Sequence, residues 1–191
     1  MRGLLRLWAA LACLACLAGG AGAAPAPPPA GAPQTAVFWR ATPLTDAAGR
    51  PAGAAPALSA WQLLTREGDS LWLALPAGGR AMAPDAAAAV LPGPPQSHRP
   101  RLRRLAAANL APELTRRLAA GRVAAGDNQR EVALAWGPPW RSYMVNLFAD
   151  EEHFVYRGMD GAPILLRFKS GRLQDAPPAG PAWVAGGTPP R

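Results

Sequence analysis

Two histidines, twelve acidic residues and two cysteines are the groups in this chain that could serve as metal ligands, bases or nucleophiles. Their spacing argues against each role. His98 stands in a proline- and arginine-rich run and His153 at the head of an apolar, strand-like stretch. There is no H-E-x-x-H, and neither histidine has a second one nearby to share a metal. Asp150, Glu151 and Glu152 are adjacent in a turn, whereas paired catalytic carboxylates need a fixed gap across a cleft, so the three read as solvated. No G-x-S-x-G occurs, and the glycine clusters GGAG near the N-terminus and AGG at 77–79 lack a P-loop lysine. Cys13 and Cys16 both lie in an N-terminal apolar run, and removal of that run leaves no thiol for catalysis, cross-linking or metal binding. The chain reads as a non-enzyme with no cofactor and no metal.

What remains is binding chemistry, carried by tryptophan and arginine. Of the seven tryptophans, Trp39, Trp61, Trp72, Trp136 and Trp140 fall in or beside patterned segments and read as core or half-buried packing residues. Exposure of Trp39 or Trp140 would instead mark a protein-binding hot spot. Nineteen arginines against one lysine give a net charge of +8. Arg99, Arg101, Arg103 and Arg104 are concentrated in PGPPQSHRPRLRR, residues 92–104. That run reads either as a solvated linker or as a patch for anionic lipid head groups, worth about 1 kcal/mol per residue at such a surface. No aromatic residues interleave with these arginines for base stacking, so nucleic acid is not an expected partner.

The elements that would position these residues follow along the chain. Arg2 and Arg6, the apolar run Leu4 to Leu17 and Ala21-Gly22-Ala23 form a secretory signal peptide over 1–23, too short to span a bilayer. An exported, periplasmic product is expected, with a charge of 8 − 2 = +6 once Arg2 and Arg6 are removed. Cys16 is the candidate for lipid anchoring in the envelope, but neither cysteine has a leucine three residues before it, which favours simple cleavage near Ala23. Residues 24–34 are an Ala/Pro-rich tether. Over 35–91, apolar runs broken by Gly, Pro and Asp predict about five short strands: one at Ala36–Thr42, a hairpin of Trp61–Glu67 and Ser70–Pro76 about Gly68-Asp69, and one or two more within Arg80–Val90. Such a run of strands implies a small all-β barrel. Prolines deny regular structure to 92–104, which reads as a linker and domain boundary. Over 105–175 an α+β domain is expected, two helices packed on a three-stranded antiparallel meander. Leu110, Leu114 and Leu118 stripe the first helix, with Arg116 and Arg117 facing away. Asn128 and Glu131 cap the second as a capping box, and Gly137 with Pro138-Pro139 ends it. Strands follow at Ser142–Phe148, His153–Arg157 and Ala162–Phe168, and residues 176–191 read as a disordered tail in which Trp183-Val184 could dock.

Two resemblances attach to these segments. ATPLTDAAGRP, REGDSLWLALPAGG and the placing of Trp72, Leu73 and Leu75 make 35–91 similar to a degenerate bacterial Src-homology-3-like (SH3-like) domain, with Arg80-Ala81-Met82-Ala83 where the family closes on Gly-Trp-Val. The ensemble Gly126, Glu131-Val132, Trp136-Gly137-Pro138-Pro139, Phe154-Val155-Tyr156, Phe168, Gly171 and Leu173 resembles the BamE/SmpA-type fold of bacterial envelope proteins. Asp127 and Phe154 depart from it, standing where the family has methionine and tryptophan; Asp127 would loosen the helix entrance or supply another cap. The resemblance implies a non-enzymatic envelope module of binding or assembly, working through protein–protein or membrane-surface contacts. The partners expected are an envelope protein or a peptidoglycan peptide, with an anionic membrane surface as a further candidate. The alternative is a cell-wall-binding regulator or inhibitor of an envelope hydrolase. The residues expected to meet a partner are Trp39, Trp140, Arg99, Arg101, Arg103 and Arg104.

Overall fold

The computed structural model describes residues 32–146, 148, 150–158, 161–177 and 180. The expected signal peptide, Cys16, most of the tether and most of the tail, including Trp183-Val184, lie outside the described residues.

Seven strands form the first sheet: β1 (Gln34–Phe38), β2 (Thr42–Thr45), β3 (Pro51–Ala55), β4 (Ser59–Glu67), β5 (Ser70–Ala74), β6 (Arg80–Pro84) and β7 (Ala88–Pro92). They pair antiparallel in the order β3-β2-β6-β5-β4-β1-β7. The hairpin about Gly68-Asp69 forms as its alternation predicts, with Glu67 opposite Ser70. The expected barrel does not close, because β3 and β7 each pair on one side only. Their composition accounts for this: Pro51, Gly53 and Pro92 withhold donors or side chains that a further ladder would need. The strands expected to number about five are seven, since β2 is only four residues long with a proline in it and β3 is built of small residues that give no alternation. Their turn is held instead by Asp46, whose carboxylate accepts from the Ala48 and Arg50 amides (2.8 and 2.9 Å).

Strand β1 is buried on both faces and so separates two cores. Ala36 and Phe38 join Leu44, Leu63, Leu71 and Leu73 inside the curl of the sheet. Val37, one residue out of phase, faces the other way and packs with Leu102, Leu105, Leu118, Val132 and Trp136.

Those residues lie on three helices rather than the expected two: α1 (Pro95–Ala107), α2 (Pro112–Ala119) and α3 (Gln129–Trp136). The stretch expected to be an irregular linker is therefore mostly α1. Pro95 sits in the first turn, where proline is favoured. Pro100 lies inside the helix and withholds the amide that would have bonded the carbonyl of Gln96, an exposed first-turn residue. His98, Arg101, Leu102 and Leu105, at i, i+3, i+4 and i+7, form its buried face. Side chains from both sides of the expected boundary, Val37 and Leu91 before it and Leu118 and Phe168 after it, share one hydrophobic cluster with that face.

The second sheet has four strands rather than three, β8 (Arg141–Asn146), β9 (Glu151–Arg157), β10 (Pro163–Lys169) and the two-residue β11 (Arg172–Leu173), in the order β11-β10-β9-β8. Phe154, Tyr156, Leu166 and Phe168 turn one face of it onto the helices.

Candidate functional site

The junction between α3 and the second sheet is fully committed to structure. Asn128 Oδ1 accepts from the Glu131 amide (2.9 Å) and Glu131 Oε2 from the Asn128 amide (2.8 Å), so the expected capping box forms. Gly137 ends the helix at φ 86°, a left-handed value that a side chain would strain. The Trp136 indole donates to the Gly121 carbonyl (2.8 Å), the Tyr156 hydroxyl donates to the Gly137 carbonyl (3.0 Å), and the two rings meet edge to face at 5.2 Å. Asp127 is not a second cap. Its buried carboxylate accepts two hydrogen bonds from Arg117 (2.6 Å each) and one from the Ala124 amide (2.8 Å). Arg117, expected to face away from the leucine stripe, ties α2 to the entrance of α3.

Arg101 is the largest departure from expectation. Expected at a partner surface, it is 4 % exposed and has no carboxylate beside it. Its guanidinium donates to the carbonyls of Leu118 (2.7 Å), Ala119 (2.8 Å) and Ala135 (3.4 Å), at the C-terminal ends of α2 and α3. They sit at the negative ends of the helix dipoles, where carbonyls run out of intrahelical donors, and among the described residues only Leu118 also accepts from a backbone amide, that of Gly121 (2.9 Å). Burial, with the charge of Arg104 adding to it, pushes its pKa down to about 10, so it stays charged at neutral pH. His98 is buried beside it and donates from Nε2 to the Pro92 carbonyl (3.0 Å). Burial first, then the Arg101 charge, lower its pKa to about 4 against the opposing pull of the Pro92 bond.

The other expected site residues separate. Trp39 is half-buried after β1, with Arg116 at 6.0 Å from its ring and Arg116 paired to Glu113. Trp140 is 41 % exposed, its ring flanked by the guanidinia of Arg141 (4.4 Å) and Arg157 (4.2 Å). Arg99, Arg103 and Arg104 are exposed on α1. Trp61 and Trp72 are fixed by local bonds to Ser59 and Glu67 (2.9 Å each).

Trp140 leads into the surface that the geometry singles out. Every residue of β8 is exposed, and among them Tyr143 (47 %), Met144 (46 %) and Val145 (50 %) are large and apolar. Phe148 follows, fully exposed. The core therefore stops at β9, and β8 is an unpaired edge. Natural edge strands are usually blunted by charge, proline, a bulge or a cover. Strand β8 has a charge only at its first residue, Arg141, and a register shift between Met144 and Asn146, and Ser142 to Val145 is uncharged and free of proline. Across the sheet, register aligns Arg141 with Val155 and Leu165, and Tyr143 with His153 and Arg167. The Tyr143 and His153 rings meet edge to face at 5.4 Å, while Glu151 accepts from His153 (3.1 Å). The face is thus an apolar strip within a rim of arginines. Its periodicity was legible in the sequence; that both faces of β8 would be bare was not, since alternation implies one covered side.

Among the described residues no helix is long and apolar enough to cross a membrane, and no three His, Cys, Asp or Glu side chains are grouped as metal ligands. No family model matches the chain, and neither does any curated protein or solved structure.

Proposed function

We propose that this chain is a non-enzymatic, exported envelope protein, a binding or assembly module that captures a protein partner along β8 and the adjoining Trp140. The observation that carries the reading is the exposure of a whole edge strand, with Tyr143, Met144 and Val145 at its centre, beside an arginine-flanked tryptophan. An extended partner segment can add to such an edge through main-chain hydrogen bonds, with alternate side chains read by the strip and the rim. Trp and Arg at its end are the residue types that dominate binding energy at interfaces. The signal-peptide pattern of residues 1–23 supports a periplasmic location. The BamE/SmpA-type resemblance supports the same class, since Trp136, Gly137 and Tyr156 from that motif meet in one bonded corner.

Immobilised protein should retain a specific protein from envelope extract at physiological salt, and the double variant Tyr143→Lys/Val145→Lys should release it. Equal capture by the variant, or no specific capture, rules the reading out. Sedimentation of wild type and variant alike with purified sacculi would transfer the function to cell-wall recognition.

A further inference from the structure

The helix that replaces the expected linker sorts its arginines by periodicity. Arg101 turns inward, whereas Arg99 and Arg103, one turn apart, overhang a groove of 510 Å³ between α1 and β4. The floor and rim include Trp61, Leu58 and Leu75, and Pro95 at the start of α1 forms part of the wall. Trp61 is locked in place, its indole donating to Ser59 Oγ (2.9 Å) and that hydroxyl donating to the Pro56 carbonyl (2.5 Å).

Charge distinguishes this groove from the two clefts beside Trp39. Those contain Glu113, which already pairs with Arg116. No acidic residue lines the α1–β4 groove, and among the described residues Arg99 and Arg103 have no ion-pair or hydrogen-bond partner. Side chains at i and i+4 leave a helix about 5–6 Å apart, so two guanidinium forks can converge on one oxyanion. The positive end of α1 and the buried Arg101 charge behind it add to the same field. The volume lies in the range of small-molecule sites, and apart from Ser59 and Gln62 the side chains of the remaining wall are apolar.

We propose that this groove binds an oxyanion carried on an apolar body, the anionic group held by Arg99 and Arg103 and the apolar part laid over Trp61, Leu58 and Leu75. The ligand class is an amphipathic phosphate or carboxylate, presented either free or as a lipid head group. This site is independent of β8, so its failure leaves the protein-binding reading standing, and the reverse holds as well.

Calorimetric titration of the whole chain with octyl phosphate, below its micelle concentration, tests the free form. Cosedimentation with phosphatidylcholine vesicles containing phosphatidylglycerol, against phosphatidylcholine alone, tests the head-group form. In at least one arm, saturable binding is expected that weakens tenfold or more in Arg99→Gln/Arg103→Gln. It should change less than twofold in Arg104→Gln/Arg130→Gln, which removes the same charge from exposed positions outside the groove. Because Arg99 and Arg103 are exposed and unpaired, both double variants should melt with the wild type. Trp61→Leu should lose more affinity for octyl phosphate than for inorganic phosphate. Binding in neither arm, or equal weakening by the two double variants, overturns the proposal.

Discussion

The two edges of the second sheet are finished in opposite ways. At one, β11 is only two residues long and is covered at once: the Gly126 amide donates to the Leu173 carbonyl, the Leu173 amide to the Asp127 carbonyl (2.8 Å each), and Asn128 bridges Arg172. The chain that covers this edge then runs directly into the capping box of α3, and nearby Asp127, Arg117 and Arg101 are spent on one another or on helix ends. At the other edge, all six residues of β8 are exposed among the described residues. Among the described residues no buried side-chain nitrogen or oxygen lacks a partner. The buried polar groups of the closed side are thus all engaged within the fold, while the open side exposes Tyr143, Met144 and Val145. Substitutions on the closed side should cost stability, and those on the open side should cost only binding.

The largest expected effect is at Arg101. Arg101→Met leaves the Ala119 and Ala135 carbonyls, one at each of two helix ends, without donors in a buried site, while the Leu118 carbonyl keeps the Gly121 amide. Each buried unsatisfied group costs about 1–3 kcal/mol, so a loss of about 3 kcal/mol or more is expected by urea denaturation. Arg104→Met, on the exposed side of the same helix, should stay within about 0.5 kcal/mol. Equal, small losses would mean that the guanidinium does not hold the helix ends together.

This pair also shows how far the sequence could be read. The capping box, the Gly137 stop, the leucine stripe of α2 and the β4–β5 hairpin were legible, because each rests on local chemistry within a few residues. The helix α1 was not, since its buried face opens with His98 and Arg101, and two prolines sit in its first half. A polar residue is assigned to a core only once its partners are known. The carbonyls that satisfy Arg101 lie 17, 18 and 34 residues away. The sharing of one core across 92–104 was hidden for the same reason. The four arginines form one patch in sequence, and helical periodicity divides them into a structural cation, Arg101, two that overhang a groove, Arg99 and Arg103, and Arg104, exposed outside it.

A smaller effect on the closed side is expected from His98. Its pKa falls from 6.5 to about 4 on folding. Between those values the unfolded chain takes up a proton that the folded chain refuses, so stability should fall on acidification by up to about 1.4 kcal/mol per pH unit. Above pH 6.5 both states hold the ring neutral and this contribution is flat. His98→Gln retains a donor for the Pro92 carbonyl without titrating. Carboxylate titration is common to both proteins, so the difference between their urea midpoints at pH 7 and pH 5 isolates the histidine. Parallel decline of the two curves would remove His98 as the cause.

The smallest effect on stability, and the most informative contrast, belongs to β8. Met144→Lys places a charge on an edge residue that is already 46 % exposed and outside both hydrophobic clusters. Little apolar burial is lost, and a lysine on an edge strand is what natural sheets use to prevent pairing. The melting transition should therefore move by less than the equivalent of about 0.5 kcal/mol, the range usual for surface changes. At high protein concentration the variant should be more soluble than the wild type, because the unblocked edge that can template pairing with another chain is now charged. A large loss of stability would show that β8 is held by contacts the open edge does not reveal. The two sides of the sheet would then differ in degree of packing rather than in purpose.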